Sequence, residues 1–385
     1  MPDTHYPATP EELRRLMAAA ASAKEPIELF GTNTKRFMGG SLAKESVRIS
    51  TAHMQRILQY EPRDLTISVE AGMPFAELTR ELARNGQTIP LEGPYSDEGT
   101  VGGVVAANVS GSRRRLYGTA RDLVIGMTFA TLDGKLVKSG GMVVKNVAGL
   151  DMAKLLIGSF GTLAAIASVN FKLVPRPPVS RTVLIAFEDV KSAFAARDAA
   201  IRGVLNPAAV DVLNPILAAP MSLKGFVLAL MFAGSEAVIE RSQRDAEAFG
   251  PGRVLSVEEE QKFWHTLRNV TPRHMEKFKD GAVVKVSTTL QDCAEALASA
   301  EGAGHAHAAS GIVRAWFSRP EAAARWLNAC AAKSWKGVVE FSGESSRQNL
   351  TLWPSPGGDF EIMKRIKHMF DPEGLLNSGR LYHLL

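Results

Sequence analysis

The feature that most constrains this sequence is a run of small residues between Gly99 and Gly118. It includes Gly99-Thr100-Val101-Gly102-Gly103 and, a few positions later, Ala106-Ala107-Asn108. A buried helix or strand would not fill its packing volume with side chains this small. A series of turns would explain glycines at the boundaries between secondary-structure elements. It would not explain Ala106-Ala107-Asn108. We therefore predict that the backbone of this run lies directly against a flat ligand.

Two further glycine-rich stretches lie on either side of this run. The first, Gly31-Thr32-Asn33-Thr34-Lys35-Arg36, follows a strand-like segment and offers hydroxyls and two cations. The second covers Gly140–Asp151 and continues at Gly158–Leu163. A diphosphate needs several N–H donors at short range, which small residues in a loop provide. The first stretch has neither the Walker spacing nor the Rossmann glycine spacing, so by itself it could equally be a plain turn.

The composition fits an ordinary globular protein of two domains. Of the 385 residues, 45% are hydrophobic and 22% are charged, and the formal net charge is +5. Most basic residues alternate with acidic ones and no nucleic-acid-binding motif is present, so we expect no nucleic-acid partner. The local exception is Arg113-Arg114-Arg115, which could meet cofactor phosphates, a partner subunit or only solvent.

The two cysteines, Cys293 and Cys330, form no C-x-x-C pattern. We therefore expect no iron–sulfur cluster held by this chain alone, and a reducing compartment fits. The first residues lack the apolar segment of a secretory signal, and no run of about 18 apolar residues occurs. We expect a cytoplasmic protein without an integral membrane segment, associated with a membrane at most through its complex.

The clearest linker in the sequence is Pro175-Arg176-Pro177-Pro178. Beyond it, strand-like and helix-like segments alternate, which favours an α+β sandwich of the ferredoxin-like type. We predict a first domain at 1–176, a second at 177–354 and a C-terminal segment at 355–385 that returns to the first. The predicted strands of the second domain are Thr182–Phe187, Phe226–Phe232, Ala282–Ser287 and Ile312–Trp316, and its predicted helices are Val190–Gly203, Ser235–Phe249, Leu290–Ala300 and Ala322–Lys333.

The three glycine-rich stretches, in this order, resemble the FAD-binding oxidases of the vanillyl-alcohol-oxidase type, also called PCMH-type. The shared pattern is T-V-G-G…A-N-x-S-G…Y-G…D-x-V-x-G, followed by K-N-V-A-G-x-D-x-x-K-L-x-I-G-S-x-G-T-L. The segment Asp371–Arg380 is similar to the family's closing D-P-x-G-x-L-N-P-G-R, with Ser378 where proline is usual. The resemblance covers the full chain and is strongest over 27–175 and 370–380. Within the family, the G-T-x-T-K-R-F loop is most similar to that of the second FAD-binding subunit of bacterial glycolate oxidase.

The resemblance implies an α+β fold with a two-part PCMH-type FAD-binding domain and a ferredoxin-like α/β cap domain. It implies that 31–37 holds the pyrophosphate, that 100–108 follows the pyrophosphate and flavin ring, that 161–166 meets the adenine and that Asn377 approaches the isoalloxazine. Covalent attachment in this superfamily uses a His in the first loop or a later Cys. This loop has no His and the first Cys is Cys293, so FAD is expected to bind non-covalently. The implied cofactor-binding residues are Gly31, Thr32, Asn33, Thr34, Lys35, Arg36, Phe37, Thr100, Val101, Gly102, Gly103, Asn108, Ser110, Gly118, Gly161, Ala165, Ile166 and Asn377.

Members of the family that oxidise 2-hydroxy acids carry an H-x-G-D-G-N-x-H segment, which suits a divalent metal or removal of a hydroxyl proton. The corresponding stretch here, Gly304–Arg314, has His305 and His307 but lacks the acidic residue and the final His. An H-x-H without a nearby carboxylate is an incomplete site, so we predict no metal, and both residues could be ordinary histidines. Arg314 could grip a substrate carboxylate or pair with an acid inside the fold. The catalytic candidates are Arg314, His305 and His307.

The resemblance implies oxidation of glycolate, a small 2-hydroxy acid, to glyoxylate. The implied partners are a second FAD-binding catalytic subunit and an iron–sulfur subunit that receives the electrons. The flavin supplies the redox chemistry, and the protein supplies position and electrostatics. One alternative is a flavoprotein electron-transfer subunit that oxidises no substrate itself, which the incomplete His segment favours. Another is a flavin-free structural subunit, against which the intact glycine-rich stretches argue.

Overall fold

The structure is a computed structural model that describes residues 3–42, 46–143 and 150–382. The K-N-V-A-G motif at 145–149 lies outside these residues. The strands are β1 (Thr4–His5), β2 (Ile27–Phe30), β3 (Val47–Ser50), β4 (Ile57–Glu61), β5 (Thr66–Glu70), β6 (Gln87–Thr88), β7 (Val124–Ala130), β8 (Leu136–Gly140), β9 (Ala165–Lys172), β10 (Val174–Pro175), β11 (Val179–Phe187), β12 (Ala209–Leu213), β13 (Phe226–Gly234), β14 (Gly252–Val254), β15 (Ala282–Ser287), β16 (Ala303–His307), β17 (Ile312–Phe317) and β18 (Lys336–Ser342).

The helices follow the same chain order. They are α1 (Pro10–Ser22), α2 (Phe75–Arg84), α3 (Val101–Ala107), α4 (Arg114–Tyr117), α5 (Ala120–Leu123), α6 (Ala153–Leu156), α7 (Val190–Arg202), α8 (Pro215–Ala218), α9 (Glu236–Ala246), α10 (Val257–Arg268), α11 (Val270–Lys277), α12 (Cys293–Ala298), α13 (Pro320–Ala332), α14 (Glu344–Asn349) and α15 (Phe360–Phe370). Among the described residues, none of these helices has the length and apolar character needed to cross a membrane.

The chain divides into two compact units. Unit 1 comprises Met1–Ser110, Gly118–Arg176 and Ser355–Leu385, and unit 2 comprises Gly111–Tyr117 and Pro177–Pro354. Each unit has its own sheets, so each is described separately below.

Unit 1 contains a parallel sheet in the order β1-β3-β2 and an antiparallel sheet in the order β4-β5-β9-β7-β8. Helix α1 begins at a real N-cap, because Thr9 Oγ1 accepts the N–H of Glu12 at 3.2 Å. Its apolar face, with Leu13 and Met17 fully buried, packs in one core with Ile27 of the parallel sheet and with residues of the antiparallel sheet. Burial of each such side chain stabilises the fold by about 1.5–3 kcal/mol.

The C-terminal segment of unit 1 lies beside β2. The N–H of Ile27 donates to the carbonyl of Leu375 at 2.8 Å, and the N–H of Asn377 donates to the carbonyl of Ile27 at 2.9 Å. Leu376 is thus a parallel bridge partner of Ile27, and its side chain is completely buried. This pairing places Asn377 next to the loop that follows β2.

In the described part of unit 2, eight antiparallel strands form one sheet in the order β14-β11-β13-β12-β16-β17-β15-β18. The first four strands, with α7 and α9, form one β-α-β-β-α-β motif, and the last four, with α12 and α13, form a second. Numbered within each motif, the strand order is 4-1-3-2 in both, which is the ferredoxin-like arrangement. The two motifs join where β12 pairs with β16. The ferredoxin-like architecture expected from the sequence is therefore present twice.

The two faces of this sheet differ in polarity, since successive side chains of a strand point to opposite faces. One set of alternate residues, such as Val212, Ala306 and Val313, is buried in a core with helices α7, α9, α12 and α13. The register pairs Asp211 with His307, and it pairs Arg314 with both His305 and Lys285. The polar side chains of β12, β15, β16 and β17 consequently lie side by side on adjacent strands.

Candidate functional site

Unit 1 contains a pocket at the end of β2. The pocket encloses about 760 Å³ of space, which includes open solvent at its mouth. Its walls come from the loop after β2, from α3, from the segment before β9 and from the C-terminal segment. The lining residues are Leu29, Phe30, Gly31, Thr32, Asn33, Thr34, Lys35, Thr51, Thr100, Gly102, Gly103, Ala106, Ala107, Phe160, Gly161, Ala164, Ile166, Asn377 and Arg380.

The loop after β2 is fixed close to the start of α3. Ser50 Oγ donates to the carbonyl of Gly31 at 2.7 Å, and Thr32 Oγ1 donates to the carbonyl of Glu98 at 2.8 Å. A Cβ atom at Gly31 would lie 2.2 Å from Thr100 Oγ1, so the approach requires glycine. At Gly31 the loop therefore lies directly against Thr100, which leaves no room for a side chain there.

The pocket wall formed by α3 consists of small residues for two reasons. One side of the helix packs closely against the protein, and the other side leaves room for a ligand. Thr100 caps the helix, and its Oγ1 accepts the N–H of Gly103 at 3.2 Å. Gly102 packs against Ala71, where an added Cβ would lie 2.8 Å from the Ala71 side chain. On the pocket side, Gly103 and Ala106 leave room for a ligand to approach the backbone. This wall has the character that the sequence predicts for a surface against a flat group.

Lys35 places a cation in the pocket wall. Its Nζ donates to the carbonyl of Tyr95 at 3.3 Å. Burial lowers the pKa of Lys35 to about 8, and the negative charge of Glu98 partly opposes this effect. An anionic ligand would favour the charged form of Lys35, so this position suits a phosphate group.

Asn377 cross-links two walls of the pocket. Its Oδ1 accepts the N–H of Leu29 at 2.8 Å, and its Nδ2 donates to the carbonyls of Leu29 at 3.0 Å and Phe160 at 2.9 Å. Gly161 follows with a φ of +69°, and a Cβ there would lie 2.8 Å from Asn377 Nδ2. Both amide hydrogens of Asn377 are thus used by the fold. Its side chain shapes the pocket by holding Leu29 and Phe160 in place.

Lys367, which is not among the residues predicted from the sequence, supports the same region from the core. Its Nζ donates to the carbonyls of Thr162 at 2.8 Å and Leu376 at 3.1 Å, and to Asp371 Oδ2 at 2.6 Å. The carboxylate of Asp371 in turn accepts the N–H groups of Leu375 and Leu376. Lys367 and Asp371 are both buried, so they form an internal ion pair that fixes the segments next to Phe160 and Asn377.

Some of the predicted cofactor-binding residues lie elsewhere. Val101 and Ala165 are fully buried in the core. Gly118 has a φ of +79° and a Cβ there would lie 2.4 Å from Asp122 Oδ2, so it serves the turn before α5. The predicted residues that are not in the pocket wall are Arg36, Phe37, Val101, Asn108, Ser110, Gly118 and Ala165.

Other residues of the pocket wall were absent from the predicted set. Ala106 and Ala107 belong to the run of small residues that indicated a ligand surface, so a signal for them existed. For Phe160, with a φ of +55°, the signal was its position before Gly161. The additional lining residues are Leu29, Phe30, Thr51, Ala106, Ala107, Phe160, Ala164 and Arg380.

Unit 2 holds a buried cluster of ionisable side chains on adjacent strands. His307 Nδ1 lies 3.2 Å from Asp211 Oδ1, and His305 Nε2 lies 2.9 Å from Asp211 Oδ2. The prediction that no carboxylate lies near the H-x-H is wrong, because Asp211 lies beside both histidines. Asp211 is 96 positions away from His307 in sequence, and the pairing of β12 with β16 brings the two together.

Arg314 is paired inside the fold, which is one of the two alternatives that the sequence left open. Its Nε donates to Glu340 Oε2 at 2.6 Å and its Nη2 donates to Glu340 Oε1 at 3.3 Å. Burial raises the pKa of Glu340, but the charges of Arg314 and Lys285 outweigh it and lower the pKa to about 2. Lys285 Nζ lies 3.6 Å from Glu340 Oε1. The Glu340 carboxylate is therefore ionised and shared by two cations.

Arg115, from the run of three arginines, is bonded within unit 2. Its Nη1 donates to Asn206 Oδ1 at 2.9 Å and to the carbonyl of Pro207 at 2.8 Å. One role of this run is thus to connect the segment Gly111–Tyr117 to the rest of unit 2.

Comparison with known proteins gives matches to two family models. The FAD binding domain matches residues 4–140, and the C-terminal domain of FAD linked oxidases matches residues 353–381. The pocket of unit 1 draws its walls from both of these regions and from the stretch between Phe160 and Ile166.

Similar proteins include two glycolate oxidase subunits. The chain is 37% identical over 162 residues to glycolate oxidase subunit GlcE of Escherichia coli, covering 42% of this chain and 46% of that protein. It is 28% identical over 254 residues to glycolate oxidase subunit GlcD of Bacillus subtilis, covering 64% of this chain and 54% of that protein. The chain thus spans about half the length of each of these two relatives.

The fold is also similar to that of solved structures. The structure of p-cresol methylhydroxylase with substrate bound superimposes with a TM-score of 0.74 and 16% identity, covering 99% of this chain and 88% of that chain. At this identity the likeness concerns the fold alone. Together, the two domain matches and this fold show a chain that carries an FAD binding domain and the C-terminal domain of FAD linked oxidases, in a two-domain α+β architecture with the PCMH-type fold.

Proposed function

We propose that this chain is a FAD-binding component of an enzyme that oxidises a small 2-hydroxy acid, with glycolate converted to glyoxylate. The observation that carries the proposal is the pocket of unit 1, which Lys35, Gly103 and Asn377 line together with glycines and alanines of the loop after β2 and of α3. The similarity to two proteins named as glycolate oxidase subunits supports the substrate class.

The proposed binding mode assigns each wall of the pocket a part of FAD. The backbone of Gly31–Thr34 and the ammonium of Lys35 would hold the pyrophosphate, because these residues line the pocket and a diphosphate binds N–H donors and a cation. Gly102, Gly103 and Ala106 let the cofactor pass close to α3. Asn377 acts by holding Leu29 and Phe160 in place rather than by donating a hydrogen bond from its side-chain amide to the cofactor. Val101, Asn108, Ser110 and the other predicted residues outside the wall would contribute only through the packing around it.

We propose that FAD is held without a covalent bond. None of the described residues that line the pocket is a His or a Cys. Cys293 and Cys330 lie in unit 2, and burial raises the pKa of each thiol to about 11, which disfavours the reactive thiolate.

When bound, FAD would supply a two-electron acceptor for the substrate and a donor of single electrons to an iron–sulfur partner. Side chains of the protein would have to orient the hydroxy acid and receive its proton. His305, His307 and Arg314 are our candidates, and the guanidinium of Arg314 is the group that would bind the substrate carboxylate. Each of these side chains is buried, and the guanidinium of Arg314 is already paired with the carboxylate of Glu340.

The pairing of Arg314 with Glu340 favours a second candidate function, a flavoprotein electron-transfer subunit that oxidises no substrate itself. In both versions we propose that the chain works in a complex with a second FAD-binding catalytic subunit and an iron–sulfur subunit. Co-purification with a tagged form of this chain would test the complex independently of the activity.

Anaerobic mixing of the purified, flavin-loaded chain with glycolate separates the two candidates. If the chain oxidises the acid, the flavin absorbance bleaches with glycolate but not with acetate, which has the carboxylate and lacks the hydroxyl. If no 2-hydroxy acid bleaches the flavin while dithionite does, the catalytic version fails for the isolated chain and the electron-transfer version stands. An Arg314→Lys variant measured in parallel tests whether the guanidinium takes part.

A further inference from the structure

The buried cluster of unit 2 has the composition of a metal site. One ligand atom each from Asp211, His305 and His307 lies within 4.8 Å of the others, and all three residues are buried. Two imidazoles and one carboxylate form a donor set that binds zinc and other divalent metals well. On composition alone, the cluster would be expected to hold such an ion.

The position of Arg314 changes this expectation. Its Nη1 lies 2.8 Å from His307 Nε2. A guanidinium carries only donors, so His307 Nε2 must be the acceptor, and the proton of the neutral imidazole must be on Nδ1. Nδ1 in turn lies 3.2 Å from Asp211 Oδ1, to which it donates. Both nitrogens of His307 are therefore occupied.

A metal could bind His307 only by breaking this arrangement. Coordination at Nδ1 would move the proton to Nε2, where it would face the N–H of Arg314. Coordination at Nε2 would require the ion to take the place of the guanidinium itself. Arg314 cannot turn away easily, because its other face is bonded to Glu340 through two hydrogen bonds and the side chain is buried. Its fixed positive charge also repels a divalent cation at this distance.

We propose that Arg314 is a built-in cation that occupies the place of a divalent metal in this cluster, so that the cluster is organised without a metal ion. The guanidinium pairs with Glu340, holds His307 in its Nδ1–H tautomer and keeps metals out. This inference concerns unit 2 alone and does not depend on whether the chain oxidises a hydroxy acid.

Metal binding by the full-length, flavin-loaded protein tests the proposal. After incubation with one equivalent of Zn²⁺ and gel filtration, wild type should retain no more zinc than His307→Ala, and Zn²⁺ should leave its Tm unchanged. Arg314→His removes the guanidinium and adds a ligand, so we expect close to one additional Zn²⁺ per chain and a rise in Tm with Zn²⁺. Arg314→Lys keeps a cation and should behave as wild type.

Stoichiometric zinc in wild type that is lost in His307→Ala would overturn the proposal, as would a folded Arg314→His that gains no zinc. If Arg314→His does not fold, the tautomer of His307 in the wild-type protein provides the test of the proposal. Nitrogen NMR of protein labelled at histidine, assigned with His307→Ala, should show His307 neutral with its proton on Nδ1. A proton on Nε2 would contradict the proposal.

Discussion

The side-chain amide of Asn377 donates a hydrogen bond to the carbonyl of Phe160 across 2.9 Å, although the two residues are 217 positions apart in sequence. Through this bond and its two bonds to Leu29, Asn377 joins the C-terminal segment, strand β2 and the segment before Gly161 around one pocket. The pocket is therefore complete only when the C-terminal segment is in place.

Asn377→Ala should weaken FAD binding and lower thermal stability. The change removes three hydrogen bonds, each with a net contribution of about 1 kcal/mol, so a loss of roughly tenfold or more in affinity is expected. Titration of the apoprotein with FAD, followed by flavin fluorescence, measures it. Asn349→Ala, at an exposed position of α14, is the matched control and should bind as wild type. Equal affinity of the two variants would refute the role given to Asn377.

Gly31→Ala should impair FAD binding although it adds a single methyl group. That methyl would lie 2.2 Å from Thr100 Oγ1, so the loop must shift away from α3, at a cost of about 1–3 kcal/mol. Gly358→Ala is the control, because nothing lies within 4 Å of a Cβ there. Both variants are compared by flavin content and by Tm. A Gly31→Ala protein with full flavin content would show that this close approach is unnecessary.

The affinity for FAD should fall as the pH rises above about 8. Burial lowers the pKa of Lys35 to about 8 in the ligand-free protein, and a bound diphosphate should raise it again. Below this pH Lys35 is already charged, whereas above it binding must also take up a proton, so affinity decreases with increasing pH.

Two variants isolate the part of Lys35 in that pH dependence. Lys35→Met should bind FAD more weakly at pH 7, and its affinity should no longer fall above about pH 8 because the titrating amine is gone. Lys35→Arg should stay charged over the whole range, so its affinity should not show this decrease either. The dissociation constant is measured between pH 6.5 and 9.5, a range chosen to bracket that pKa of about 8. A slope that survives in Lys35→Met must come from another group.

Lys367→Met should destabilise unit 1 strongly. It leaves the buried carboxylate of Asp371 without its cation, and breaking a buried pair in this way costs about 3–5 kcal/mol. Lys367→Met combined with Asp371→Asn should recover part of the loss. Lys364→Met, which removes an exposed pair with Glu361, should change stability by less than about 1 kcal/mol. Urea unfolding of wild type and these three variants provides the comparison, and similar effects of the two single Lys variants would exclude the buried-pair explanation.

The regular elements of unit 2 could be predicted where the pattern was strong. The predicted strand Ala282–Ser287 is β15 itself, and the predicted helix Val190–Gly203 differs from α7 by one residue. Strands β12, β14, β16 and β18 were missed. Two of them, Ala209–Leu213 and Ala303–His307, are short and carry buried polar residues where a strand pattern expects apolar ones.

The pocket was predictable in its backbone-rich parts and not in its long-range contacts. Runs such as Gly31–Thr34 and Gly102-Gly103 are visible as glycine patterns and do line the pocket. The contacts of Asp211 with His307 and of Arg314 with Glu340 depend on which strands are neighbours in the sheet. No local pattern in the sequence contains that information, so the carboxylate next to the H-x-H could not be foreseen.

The most direct test of non-covalent FAD binding in the pocket of unit 1 is the flavin content of the purified full-length chain after acid precipitation. We predict one FAD per chain, recovered entirely in the supernatant, and a marked loss of that flavin in Gly31→Ala but not in Gly358→Ala. A chain that purifies folded but cannot be loaded with FAD, or flavin that stays in the precipitate, would contradict the account.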